Sequence, residues 1–230
     1  MIKDWKISAW LASPLAGEPP MLDALLTQEL ARRLGLASAL SAGRWSTLDD
    51  LKLPDGKGIP LTGRTLTGGN RVYSCSSPIM APIAEWEEHM SRRFESSHMA
   101  LAIAEKNRKS LLTASGPYKQ RYAPVRVRLV ERVAWFARGD RVELNILLKR
   151  VYALGANRAC GYGAVWKWEF EEMPEDFSIT APHNGKKILM RPVPVDYAVE
   201  NGLYSYRKTL GACRPPYWHP ENSTYIAEPC

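Results

Sequence analysis

The sequence is poor in the residues that most often announce chemistry. Four cysteines, Cys75, Cys160, Cys213 and Cys230, stand far apart with no Cys-x-x-Cys pair, a spacing that offers neither a zinc site nor a disulfide framework. Histidine is as sparse: His89, His98, His183 and His219 are scattered, and none falls in the glycine-rich loop described below. No apolar run approaches the roughly 20 residues that a membrane-spanning helix needs. The opening Met-Ile-Lys-Asp-Trp-Lys lacks the apolar core of a signal peptide, so a cytoplasmic protein without membrane contact is expected. A Walker A loop is excluded because no Gly-Lys-Ser or Gly-Lys-Thr follows a glycine run. Neither a metal nor another cofactor is expected.

What the chain has in excess is positive charge. The formal net charge is +7 and the pI near 9.3. Between residues 91 and 132 ten Lys or Arg (Arg92, Arg93, Lys106, Arg108, Lys109, Lys119, Arg121, Arg126, Arg128 and Arg132) face three acids (Glu95, Glu105 and Glu131), so this segment alone equals the whole excess. Charge concentrated in this way is the footprint of a polyanionic partner. With 230 residues, 45% of them hydrophobic, and eight Trp, the chain can bury one substantial core and carry an appended lobe.

Residues 139–171 read as helix, glycine loop and strand. Asp140 followed by Glu143 forms a capping box, and Leu144, Leu147, Val151 and Leu154 recur at helical intervals as far as Gly155, the expected stop. The loop beyond it holds Gly155, Asn157, Arg158, Gly161, Tyr162 and Gly163. Such a loop can turn sharply and offer backbone N–H groups to an anion. Residues 165–170 resume as a strand. The order excludes a dinucleotide fingerprint, which needs its strand before the glycines and its helix after them.

The run Leu154-Gly155-Ala156-Asn157-Arg158-Ala159-Cys160-Gly161-Tyr162-Gly163-Ala164-Val165 resembles the signature loop of the RAMP superfamily of CRISPR proteins. The opening Ala9-Trp10-Leu11-Ala12-Ser13-Pro14-Leu15, followed by a Leu-Asp-Ala-Leu-Leu helix, is similar to the start of the Cas-five-like subunit of type IV effector complexes. The resemblance spreads over residues 1–175 and is specific at these two stretches. It implies an α+β, ferredoxin-like (RRM-like) RAMP domain over 1–177, interrupted by a long basic insertion over about 42–124, with a small C-terminal extension over 178–230. The implied role is not enzymatic: gripping the 5′ handle of the CRISPR RNA, capping the filament of backbone subunits and examining target DNA with the large subunit. A helicase recruited to the complex belongs to the same implication. Related RAMP proteins cleave RNA, so the alternative is a metal-independent endoribonuclease that processes CRISPR RNA with a His, Tyr or Lys as acid or base.

The remaining elements follow from pattern. Residues 3–11 alternate, with Trp5, Ile7, Ala9 and Leu11 on one face and Lys6, Ser8 and Trp10 on the other, as a first strand would. Residues 22–34 predict an amphipathic helix ended by Gly35, and residues 42–69 an irregular insertion. Residues 70–76 predict a strand closed by Pro82, and residues 83–115, free of Gly and Pro, predict one long helix. The clearest strand spans 125–136, with Val125, Val127, Leu129, Val133 and Trp135 inward and Arg126, Arg128 and Arg132 outward. Residues two apart in a strand are separated by roughly 6.6 Å, a spacing suited to successive phosphates. The expected RNA contacts are therefore the six loop residues together with Arg92, Arg93, Lys119, Arg121, Arg126, Arg128 and Arg132. Residues 188–195 read as an edge strand, and 201–230 as an aromatic tail packed on the domain or on a neighbour.

Overall fold

The computed structural model describes residues 1–36, 58–66, 70–92, 119 and 121–229. Its frame is one antiparallel sheet. Strand β1 (Ile2–Leu11) pairs along its edges with β6 (Arg121–Asp140) and β7 (Val165–Glu172), and β5 (Ile79–Arg92) pairs with the far edge of β6. The strand order is thus β7, β1, β6, β5, with the short β2 (Leu15–Ala16) continuing the line of β1 against β6. Helix α1 (Leu22–Arg33) follows β2, and α2 (Arg141–Leu148) connects β6 to β7.

Alternation decides which face of the sheet is covered. Trp5, Ile7 and Ala9 of β1 lie across from Ala137, Trp135 and Val133 of β6, and all are buried. Leu22, Leu25, Leu26 and Leu30 of α1 and Leu144, Leu147 and Leu148 of α2 close over this face as one core. Both helix ends obey local chemistry. Asp140 caps α2 by accepting from the N–H groups of Val142 (3.0 Å) and Glu143 (3.3 Å), while α1 runs out at Leu34 before Gly35 in the left-handed region.

Four expectations need correction here. The helix after Asp140 ends at Leu148 rather than at Gly155; Val151 and Leu154 are buried in extended chain beyond it, beside an isolated bridge between Ala153 and Ala164. The long helix over 83–115 is not formed where the chain is described, because β5 runs as a strand to Arg92; residues 93–115 lie outside the described residues. Pro82 does not end a strand but sits inside β5 at a double shift of the ladder. Proline lacks the N–H that a ladder needs, so it is tolerated there, at a bulge in an edge strand. The same irregularity breaks the alternation of β6: Val130 is buried and Leu129 is exposed, the reverse of the pattern read over 125–136.

A second core lies beyond β7. Hairpin β8 (Thr180–His183) and β9 (Lys186–Leu189), β10 (Val193–Pro194), helix α3 (Val195–Glu200), β11 (Tyr206–Ala212) and β12 (Ser223–Pro229) pack around Leu189, Val193, Ala198, Leu203, Ile226 and Ala227. Residues 188–195 are therefore two short strands rather than one. The hairpin of β3 (Gly63–Thr65), from the expected irregular insertion, and β4 (Arg71–Tyr73), within the strand expected over 70–76, and its flanks divide their side chains between the two cores: Leu66 and Val72 join the second, Leu61 and Tyr73 the first.

Arg191 fastens this junction. It is fully buried. Its guanidinium donates to the carbonyls of Tyr73, Cys75 (3.1 Å) and Cys213 (2.6 Å) and to the Asp23 carboxylate of α1 (3.3 Å). Tyr217 O–H also donates to Asp23, at 2.9 Å. Complete burial pushes the Asp23 carboxyl upward while Arg191 and Tyr217 pull against it, and burial raises the neighbouring Cys75 thiol to about 12, leaving it inert as a nucleophile.

Candidate nucleic-acid interface

The glycine loop is held by the chain's own polar groups. Ser13 Oγ donates to the Gly161 carbonyl (2.7 Å) and accepts from Ala164 N–H (2.9 Å). Gly163 N–H donates to the Pro14 carbonyl (2.8 Å), and Ala156 N–H to that of Ala16 (2.7 Å). A side chain at Gly155 would put Cβ 2.4 Å from the Ala16 carbonyl, and one at Gly163 would put it 2.1 Å from the Leu154 carbonyl. These two glycines therefore serve close packing of the backbone. The segments 9–15 and 154–165, far apart in sequence, are thus bound to each other as one ledge at the end of the sheet. The expectation of bare amides is corrected accordingly: the N–H groups of Ala156, Cys160, Gly161, Gly163 and Ala164 are spent within the protein.

What the ledge does present is cationic side chains beside a cleft of about 540 Å³. Arg32 and Glu29 of α1, Arg150 and Tyr152 after α2, and Asn157 and Arg158 of the loop line it. Arg158 stands exposed in a single 3-10 turn. Glu29 engages Arg32 at 2.6 Å, whereas Arg150 and Arg158 have no ion pair among the described residues. Tyr152 is exposed and offers a ring face. The cleft can thus hold phosphate by charge and a base by stacking, the two contacts that single-stranded RNA offers. Arg32, Arg150 and Tyr152 were missed in the sequence because each is an ordinary surface residue on its own element.

The remaining candidates separate sharply. Tyr162 and Asn157 turn toward β5, where Tyr162 O–H donates to Glu88 (2.6 Å) and the Asn157 side chain meets Met90. Arg128 is only 6% exposed and lies between Glu18 (2.7 Å) and Glu85 (3.0 Å); Arg126 bonds Glu85 at 3.1 Å. The outward stripe of three arginines is therefore corrected: acids distant in sequence neutralise its first two members, and only Arg132 remains exposed without an ion pair among the described residues. Hydrogen bonding to Arg128 holds the Glu18 carboxyl below its ordinary range. Lys119 is exposed; Arg92 and Arg121 are placed by their backbone, opposite each other in the ladder; Arg93 lies outside the described residues. None of the three described histidines lines the cleft: His89 stacks on Tyr122 at 5.0 Å, His183 bonds Asn184, and His219 caps a turn.

Comparison with known families settles the kinship. The family model of CRISPR type IV associated protein Csf3 matches residues 77–229. The chain belongs to this Csf3 family. No curated protein matches it. The matched span contains the glycine loop and, apart from Leu66 and Val72, the second core, so the region read as an extension is shared by the family, while the N-terminal stretch 9–15 falls outside the match. As a member of the Csf3 family the protein is a type IV CRISPR-associated subunit.

Proposed function

We propose that this Csf3-family chain is the RNA-gripping subunit of a type IV CRISPR effector complex. In this reading β1, α1, β5, β6, α2 and β7 form a ferredoxin-like RAMP domain, a reading supported by their order in the chain and by the sheet order β7, β1, β6, β5. The domain holds the 5′ handle of the CRISPR RNA, caps the filament of backbone subunits and contributes with the large subunit to target DNA recognition, all by binding rather than by catalysis. One observation carries the proposal: Arg150 and Arg158, unneutralised by described acids, converge with Tyr152 on a cleft beside the glycine loop. An RNA backbone entering it exchanges condensed counterions for guanidinium groups, which favours binding at low salt.

The test is RNA retention in the assembled complex. Arg150→Glu together with Arg158→Glu is expected to strip guide RNA from the purified assembly while the subunit still assembles. Arg126→Gln, at a residue already engaged by Glu85, is expected to leave most of the RNA in place. Full RNA retention by the Arg150→Glu, Arg158→Glu complex would refute the placement of the handle in this cleft.

A further inference from the structure

Among the described residues, Phe177 and Asp176 cover one end of the sheet face turned away from α1 and α2. There Phe177 packs edge-on against Phe136, with ring centroids 5.5 Å apart, and Asp176 pairs with Arg64 of β3. At the opposite end Trp10 sits in register between Arg132 of β6 and Lys167 of β7. The ladder then shifts: Lys167 faces Trp10, the next pairing joins Leu11 to Val165, and Trp166 is left without a partner. A bulge of this kind re-aims a side chain. Here it sets the Trp166 ring 6.4 Å from that of Trp10, tilted by 59°, and leaves Trp166 64% exposed.

Charge surrounds this pair. The Arg132 guanidinium lies 5.2 Å from the Trp10 ring centroid and Lys167 Nζ 6.0 Å from it. Glu169 accepts from Lys167 at 2.8 Å and from the Trp10 indole N–H at 2.9 Å. Those two bonds, the one from Lys167 first, hold the Glu169 carboxyl below its ordinary range, so it is ionised and offsets one of the two cations. Trp10 is thereby locked by its edge, and Arg132, whose charge also acts on Glu169, forms no ion pair among the described residues.

We propose that Trp10, Trp166 and Arg132 form a stacking platform for one unpaired base of a single-stranded nucleic acid, with Arg132 engaging the adjacent phosphate. An indole raised to the surface by a bulge is a ready face for a base, and every base has a matching π-face. The neighbouring cations favour a polyanion over an apolar protein surface. None of these residues lines the cleft beside the glycine loop, so the platform goes beyond guide binding there and stands or falls separately from it.

Fluorescence anisotropy of the full chain with short labelled oligouridylate and oligothymidylate tests the proposal. Trp166→Ala is expected to weaken binding about five- to a hundredfold, with Trp166→Phe retaining most of it. Arg132→Gln is expected to lower the slope of log affinity against log salt by about one contact's worth. Equal losses with both probes assign the platform to single strands of either sugar, and a loss with only one probe names which. Unchanged affinity and slope with both probes, in variants that melt like the parent, overturn the proposal. The Arg150→Glu, Arg158→Glu variant separates the two sites: a loss there with none in Trp166→Ala leaves the cleft standing and sinks the platform, and the reverse pattern does the opposite.

Discussion

Arg158 and Arg191 are the same side chain in two opposite settings. Arg191 is sealed at the junction of the two cores with six oxygen acceptors around it. Arg158 stands on an exposed turn with no ion pair among the described residues. The first is a structural cation, the second a cation available to a ligand. A high pI does not tell them apart, because availability depends on which acids the fold brings near, and a charge that already has its partner gains little from a phosphate.

The largest blow to this contrast comes at the buried end. Arg191→Met leaves Asp23 without its counter-charge and is expected to cost about 3–5 kcal/mol in urea unfolding. Adding Asp23→Leu is expected to recover part of that loss, since the cost comes chiefly from the stranded charge. If the double variant is no more stable than the single, Arg191 matters for its other bonds and the contrast is drawn in the wrong terms.

A smaller effect is expected within the loop. Gly163 and Gly161 both have positive φ, at 64° and 89°. Gly163→Ala drives Cβ into the Leu154 carbonyl, whereas Gly161→Ala meets nothing within 4 Å. Gly161→Ala should therefore lose about 1–2 kcal/mol from its backbone conformation alone, and Gly163→Ala distinctly more, as thermal melts would show. Equal losses would mean that the loop yields as a unit rather than being pinned at its base.

The smallest effect sharpens the comparison at a third arginine. Arg128 is nearly as buried as Arg191, but its partner Glu18 is largely exposed. The folded-state pKa of Glu18 is depressed, so its contribution is present above the unfolded value and is lost as pH falls through the folded one. Glu18→Gln should flatten the acid limb of the stability curve by no more than about 0.5 kcal/mol, because water screens the pair. An unchanged acid limb would assign Arg128 to Glu85 alone.

Much of the frame could be read in advance because its signals are local. The alternation of β1, the Asp140 cap and the Leu stripe of α1 each specify an element within a few residues, and each forms as expected. The reading failed over residues 83–92, where helical spacing and the absence of glycine were overridden by the pairing of β5 with β6, a contact across many intervening residues. It failed again for Arg126 and Arg128, whose acids, Glu18 and Glu85, come from other strands and turns.

The sequence by itself determined that the chain is basic and that its glycines gather between a helix and a strand, and it singled out segments 9–15 and 154–165, of which the family match covers only the second, since composition and short-range pattern survive without coordinates. Only the tertiary structure decided that those segments bind one another, that Arg150 and Arg158 share a cleft with Tyr152, and that a bulge lifts Trp166 beside Trp10. The reason is physical: a site is made by groups brought together across the fold, and the neutralisation of a charge depends on distance in space rather than along the chain.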